Sequence, residues 1–354
     1  MELGSEYNLS LCDLSMVDDN IFSYLSDFEQ CYYFDSGRSA IKHLAAQMKH
    51  FNKVLLPEFI CESVSNCFNE SSLSYYKLKE DLSIDIDDLK SFSIDNHTII
   101  FLMHYFGGIQ KNSILTEIRS LANDKGAIII EDTTHSIFSQ AQTIGDYMVC
   151  SIRKWLPIPG GGALYYNRNK CGIVKTSYPQ SVDNSRGYGM ILKDLFLTTG
   201  FDCNEKYRQV FAACEEHLDS QIDIYEISDF SRFIASCVSI GKLIERRKKN
   251  YEILLNALKN EGVNPAIKID EHDTPLVYPL RVKNRDSLRS FLMSKKIYCA
   301  VHWPFDDNHK PEQRAFAKKN ADELISLPID QRYDEAHIEY LVNILNQFGG
   351  GLLY

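Results

Sequence analysis

The sequence has no C-x-x-C pair, no apolar run long enough to span a bilayer, no internal repeat and no low-complexity tract. Basic residues are in deficit: 38 Lys and Arg stand against 48 Asp and Glu, a formal net charge of −10. That balance disfavours nucleic acid and an anionic membrane surface as partners. It leaves room for an anionic small molecule in one locally basic pocket. The ten cysteines are scattered, so a metal or disulfide framework is the weaker reading. They read as small buried hydrophobes in a reducing compartment. The first twenty residues, MELGSEYNLSLCDLSMVDDN, are acidic and carry no apolar core. No secretory leader is expected from them, and the expected location is cytoplasmic.

What is present is ordinary for a globular chain: 44% hydrophobic and 24% charged residues. A length of 354 residues exceeds what one core usually spans, which predicts two lobes. Short apolar runs at KVLLP (53–57), TIIFLMH (98–104), AIII (127–130), YMVCSI (147–152) and GGALYY (161–166) alternate with helical patterns. One such helix holds Ile41, Leu44, Ala45 and Met48; another, 114–127, ends near Gly126. Short apolar strands alternating with helices predict an α/β fold with a mainly parallel central sheet covered on both faces. Ligands of such sheets sit at the carboxyl ends of the strands, which puts Asp132, His104 and the turn after Phe34 on one rim.

Residues 168–220 carry few signals. A long helical pattern then runs from Ser228 to Leu258, with a basic cluster, KLIERRKK, read as a solvated face. After it come a strand (PLVYPLRV), a helix (RDSLRSFLMSKKI) and a terminal helix with Ile338, Leu341, Val342, Leu345 and Phe348 on one stripe. This texture predicts a large domain over 1–235 and a smaller α+β domain over 236–354.

Four segments carry candidate chemistry. In AIIIEDTTHSIF an apolar strand runs into Glu131, Asp132 and His135. A lone strand-end aspartate is more often a cap or an ion-pair partner than a catalytic group. In SGRSA (36–40) a glycine turn opens a helix, a ready phosphate site to which Arg38 and Ser39 could add donors. In SIRKWLPIPGGGALYY Lys154 follows a strand and sits beside Arg153. Partial desolvation and that neighbouring charge would both lower its pKa. In LLPEFICES Phe59 stands at a strand end where a ring could cover a flat cofactor. The glycines 160–162 fit neither a P-loop nor a dinucleotide turn. A phosphate cradle, a platform ring, an acid at a strand end and a lysine about twenty residues on suit pyridoxal phosphate.

With SGRSAI, LPEFICESV, MHYFGG, IIEDTTHSI, GDYMVCSIRKWLPIPGGGALYY and SLPIDQRY in this order from residue 36 to 333, the chain resembles the DegT/DnrJ/EryC1/StrS sugar aminotransferases. These belong to the fold-type-I pyridoxal-phosphate (PLP) enzymes. The resemblance implies that Asp132 faces the pyridine nitrogen and His135 the phenolic oxygen. It implies that Lys154 is the Schiff-base lysine, Phe59 the stacking ring, and Arg38, Ser39 and Ser151 the phosphate shell. His302 and Trp303 of VHWPF and Arg332 of LPIDQRY are candidate substrate contacts or small-domain packing. Three features differ from the family pattern. Ser151 lies three residues before the lysine, not five; Gly160 replaces an acid; and DIYEISD (223–229) stands where Gly-Tyr-Asn would reach a partner subunit.

The implied activity is a transaminase that takes an amino group from an amino acid, L-glutamate by expectation. It passes the group to a keto sugar, nucleotide-linked, for surface polysaccharide or glycoconjugate synthesis. A homodimer is implied as well. The alternatives are a small phosphorylated ketone or aldehyde as acceptor, or a non-catalytic PLP-fold binding protein. A dehydrating relative would lack the lysine, and a dinucleotide oxidoreductase would need a glycine turn that SGRSAI does not supply.

Overall fold

The computed structural model describes residues 2–12, 14–139, 143–181, 184–260, 262–304 and 314–348. In chain order the strands are β1 (Leu3–Gly4), β2 (Gln30–Phe34), β3 (Lys53–Pro57), β4 (Leu73–Tyr76), β5 (Thr98–Met103), β6 (Ile128–Asp132), β7 (Tyr147–Cys150), β8 (Gly162–Tyr166), β9 (Tyr278–Arg281), β10 (Ile297–Tyr298) and β11 (Leu324–Leu327). The helices are α1 (Ile21–Tyr24), α2 (Gly37–Gln47), α3 (Glu62–Ser65), α4 (Ile86–Ser91), α5 (Asn112–Lys125), α6 (Asn184–Thr199), α7 (Asn204–Ser220), α8 (Asp229–Ser236), α9 (Ile240–Asn260), α10 (Arg285–Ser294), α11 (Ala315–Glu323) and α12 (Glu335–Leu345). By internal contacts the chain forms two discontinuous units. One comprises Met1–Ser5, His50–Gly145 and Lys242–Tyr354; the other comprises Glu6–Lys49 and Asp146–Gly241.

In the first unit β6, β5, β3 and β4 form a wholly parallel ladder in that order. The apolar runs read from the sequence are these strands, and β5 and β6 are buried along their length. The link into β6 is set locally. Leu115, Ile118 and Ala122 bury one face of α5, and Gly126 then takes φ 73° as a left-handed cap. That conformation is cheap only for glycine. It ends the helix two residues before β6 begins.

The same unit holds a second core. Leu254 and Leu258 of α9 pack with Tyr278, Leu280, Leu288, Leu292, Ile325, Leu327, Ile338 and Leu341. Leu3 joins this core from the N-terminal end, where β1 pairs in parallel with β10. Sequence texture alone could not show that a segment nearly three hundred positions away completes it. β9 and β11 pair antiparallel within it.

In the second unit β8 lies antiparallel to both β2 and β7. The fold class is the expected one, α/β with mainly parallel strands. Some details differ. The long pattern from Ser228 to Leu258 is two helices, because Asp19 caps a new start. Its carbonyl accepts the Ile240 N–H at 2.9 Å, and its Oδ2 accepts Ser239 Oγ at 2.6 Å and the Gly241 N–H at 3.1 Å. The silent stretch 168–220 holds α6 and α7, and the apolar residues of α6 point outward as well as inward: Tyr188, Leu195 and Leu197 are exposed. That spread erases the one-sided stripe a sequence reading depends on. The cysteines are free, but only Cys150, Cys203 and Cys299 are fully buried, and Cys12 is exposed.

The basic cluster of α9 is also not wholly a solvated face. Arg247 is 1% exposed and donates to Gln331 Oε1 at 2.9 Å and to the Leu276 carbonyl at 2.6 Å. One turn on, the buried Asn250 Nδ2 lies 3.2, 3.2 and 2.8 Å from the carbonyls of Ile329, Asp330 and Tyr333. These contacts pin the LPIDQRY loop to α9. Replacing Asn250 by leucine strands buried carbonyls without removing their need for a donor. We expect Asn250→Leu to lose about 3 kcal/mol of unfolding free energy, measured by urea denaturation. A loss within experimental error would show that the loop is held by other means.

Candidate active site

β6 ends in two acids with different tasks. Adjacent strand residues face opposite sides, so Glu131 and Asp132 diverge. Glu131 is 1% exposed and is satisfied on both oxygens. Oε1 accepts His104 Nε2 at 2.9 Å, and Oε2 accepts the N–H groups of Ile144 and Gly145 at 2.8 and 2.7 Å. The Gln110 N–H donates to His104 Nδ1 at 3.1 Å. A backbone N–H can only donate, so the imidazole hydrogen is on Nε2, directed at Glu131. His104, expected at a ligand-facing rim, is instead a buried strut that fixes the backbone around β6.

Asp132 is 4% exposed, and its Oδ1 accepts the Thr134 N–H at 2.8 Å. Burial raises its carboxyl above the usual range, against the opposing pull of the Thr134 hydrogen bonds and of His104. Three residues on, His135 accepts the Phe106 N–H on Nδ1 at 3.3 Å, which leaves its hydrogen on Nε2. The ring is flanked by two near-parallel neighbours, Phe106 (5.6 Å, 27°) and Trp303 (5.5 Å, 16°), and His302 meets it edge-on at 5.3 Å. Trp303 is 5.1 Å from Phe59, which in turn stacks on Tyr105 at 5.8 Å. His302 Nδ1 lies 2.8 Å from Ser326 Oγ. The first unit thus gathers Phe59, Asp132, His135, His302 and Trp303.

Arg332 has a different setting. Its Nε and Nη2 pair with Asp330 at 2.7 and 2.9 Å, and Nη2 also reaches the Ser5 carbonyl at 3.3 Å. These contacts tie Arg332 to its own loop and to the N-terminal segment. Phe305, the last residue of the VHWPF motif, lies outside the described residues.

The second unit holds the other candidates. Ser36 caps α2, its Oγ accepting the Ser39 N–H at 3.2 Å and donating to Asp35 Oδ1 at 3.1 Å. A Cβ on Gly37 would lie 3.1 Å from the Ser151 Cβ, so Ser151 rests directly against the first turn of α2. Gly162 is forced by the same crowding, since a Cβ there would meet the Ser36 carbonyl oxygen at 2.2 Å. Ser151 therefore rests against the first turn of the helix that also carries Ser39, at an N-terminus where the dipole favours an anion. Arg38 turns its guanidinium to Asp219 at 2.6 Å.

Lys154 closes a 3₁₀ turn, its N–H donating to the Ser151 carbonyl at 3.2 Å. Its side chain is exposed. The desolvation expected of it is thus absent, because the turn lifts residue 154 off the buried strand β7. Arg153 pairs with Glu215 at 2.9 Å, and Glu215 also holds Arg186.

Sequence reasoning named Glu131 without giving it a task, and it missed Tyr105, Arg314 and Glu215. Glu131 had a signal, an acid inside a buried strand that must find donors. The others act across long sequence separations and leave none.

No family model matches the chain, and no curated protein matches it in sequence. Its likeness to solved structures is extensive. A DegT DnrJ EryC1 StrS aminotransferase from Brucella abortus matches with a TM-score of 0.63 at 14% identity, over 95% of this chain and 92% of that one. The sugar aminotransferase CalS13 from Micromonospora echinospora matches with a TM-score of 0.60 at 16% identity, covering 91% and 88%. NtdA from Bacillus subtilis, solved with the cofactor PMP, matches with a TM-score of 0.62 at 13% identity, covering 90% and 73%.

The ionisation of Asp132 has a consequence for stability. Its pKa is raised on folding, so the charged form weighs against the folded state. That burden is present above the folded pKa and vanishes below the unfolded one. Asp132→Asn should therefore make the cofactor-free protein more stable at pH 7.5, with the difference fading as pH falls below the ordinary carboxylate range. Denaturant titration at several pH values checks this. A destabilised variant at neutral pH would mean that the carboxylate is already compensated. The parallel ladder, the strand-end acids and the near-complete coverage agree: this chain has the fold of the DegT/DnrJ/EryC1/StrS aminotransferases.

Proposed function

We propose that the protein is a PLP-dependent aminotransferase acting on a keto sugar. The observation that carries this reading is the buried carboxylate of Asp132 beside a histidine whose hydrogen is held on Nε2. A raised, buried acid calls for a cationic partner, and a protonated pyridine nitrogen is one. Ser39 and Ser151 at the α2 N-terminus fit a phosphate. The residues present therefore suit the cofactor. When bound, pyridoxal phosphate supplies an electron sink that makes the α-hydrogen of an amino acid acidic.

Each residue then has a task. Asp132 holds a proton on the pyridine nitrogen. His135 donates its Nε2 hydrogen to a ring oxygen anion. Phe59 supplies the flat face. Ser39 and Ser151, with the backbone at Arg38, take the phosphate. Lys154 would be the covalent anchor, and its Nζ, when not so engaged, would be the group that takes and returns the α-hydrogen of the donor. His302 and Trp303 would meet the acceptor, a reading supported by their grouping with His135.

The finer reading follows the resemblance. The donor is L-glutamate, the acceptor is nucleotide-linked, and the product serves a surface polysaccharide or glycoconjugate. The enzyme works as a cytoplasmic homodimer. Its large domain spans 1–235 and its small domain 236–354, a division supported by the separate core drawn mostly from residues 251–345.

An absorbance spectrum of the purified protein with added pyridoxal phosphate tests the proposal. The wild type should show a band at the border of the visible and near-ultraviolet. That band should be absent in Lys154→Ala and should shift when L-glutamate is added. A wild type with no lysine-dependent band would sink the catalytic reading and favour a binding protein on the same fold.

A further inference from the structure

Three successive carbonyls around Phe59 are held by side chains from distant sequence. Arg314 Nε donates to the Glu58 carbonyl at 2.8 Å, and Arg314 Nη2 donates to the Ile60 carbonyl at 3.3 Å. Between them the Tyr105 hydroxyl donates to the Phe59 carbonyl at 2.6 Å. Residues 58–60 lie just past the end of β3, where the regular ladder no longer fixes the backbone. Glu58 is anchored further, its N–H on the Tyr76 carbonyl and its Oε1 accepting the Leu78 N–H, each at 2.9 Å.

Arg314 is 3% exposed and lies over the Tyr75 ring, 4.8 Å from its centroid. Burying a guanidinium is costly, and an apolar side chain would fill the same space at less cost. What an apolar side chain cannot do is bridge two acceptors. The planar fork of arginine presents several donors in fixed, separated directions, whereas the three donors of lysine sit on one compact ammonium. The two carbonyls it grips belong to the residues on either side of Phe59.

We propose that Arg314 is the positioning residue for Phe59: by clamping the carbonyls of residues 58 and 60 it fixes the plane in which the Phe59 ring meets a flat ligand. The proposal rests on the reading of Phe59 as the cofactor's shelf. Arg314 touches no reacting atom in this account and acts only through that ring. It also ties the shelf to a segment more than 250 positions later, at the start of α11.

The test is a spectroscopic titration with pyridoxal phosphate on the full chain. Wild type, Arg314→Met, Arg314→Lys, Phe59→Leu and the Phe59→Leu/Arg314→Met double variant are compared, each with its melting temperature. Losing a charge-assisted clamp should weaken cofactor affinity about tenfold in Arg314→Met. Arg314→Lys should fall between it and wild type. The double variant should bind no worse than Phe59→Leu alone, because the arginine has nothing left to position. Affinity in Arg314→Met equal to wild type, or additive losses in the double variant, overturns the proposal. A merely structural arginine would lower the melting temperature and leave the dependence on Phe59 absent. If wild type itself shows no lysine-dependent band, the functional reading fails instead. A crystal structure of Arg314→Met then decides: a displaced Phe59 sustains the positioning role, and an unmoved one ends it.

Discussion

The burial of one carboxylate, Asp132, is the constraint around which the first unit is organised. Three isoleucines lead into it, and the parallel register pairs it with Met103. A strand of that composition is pulled inward by its apolar side chains, and the acid at its end is carried in with them. Left alone, an ionised group in such a place would be among the most expensive features of the fold. The surrounding contacts make sense as answers to that cost. Thr134 turns its N–H back to the carboxylate, and the neighbouring Glu131 is spared the same problem by donors on both oxygens.

Two histidines show how backbone geometry assigns chemistry. His104 and His135 both accept a backbone N–H on Nδ1, so both carry hydrogen on Nε2. The hydrogen of His104 is consumed by Glu131, which makes it a strut. His135 stands among Phe106, His302 and Trp303, where the flanking rings restrict it to one orientation. Identical residue types thus end in different settings, one held by a carboxylate and the other packed among rings.

Much of this was legible in the sequence. Apolar runs of strand length marked β3, β5, β6, β7 and β8, and SGRSA marked the capped start of α2. Candidates close together in sequence, such as Asp132 and His135, could be read because a strand end and its turn place them together regardless of the rest. VHWPF was only a suspicion, since nothing local says that Trp303 will lie flat on His135. LPIDQRY looked equally suggestive, yet Arg332 closes on Asp330 two residues away. Helix α6 was invisible because its apolar residues do not share a face. Arg247 was misread because a basic run hides which of its members points inward. What escaped at Trp303 and Arg247 was a pairing across the chain that local composition does not encode.

The cations of the second unit extend the argument. Arg38 is drawn to Asp219, and Arg153 and Arg186 share Glu215, with Arg186 also on Glu6 at 2.7 Å. Burial pushes the Glu215 carboxyl up, but the two guanidiniums beside it outweigh that and hold it down to about 2. The acids of α7 thereby pair with Arg38, which the sequence offered as a donor to an anion, and with Arg153 and Arg186. An anion at the start of α2 must then be held chiefly by fixed groups: backbone N–H donors, the Ser39 and Ser151 hydroxyls and the helix dipole. Such donors are oriented before a ligand arrives and require no long side chain to be ordered. Neighbouring groups that suit that task are the capped helix start and the glycine at 37 that lets Ser151 rest against it.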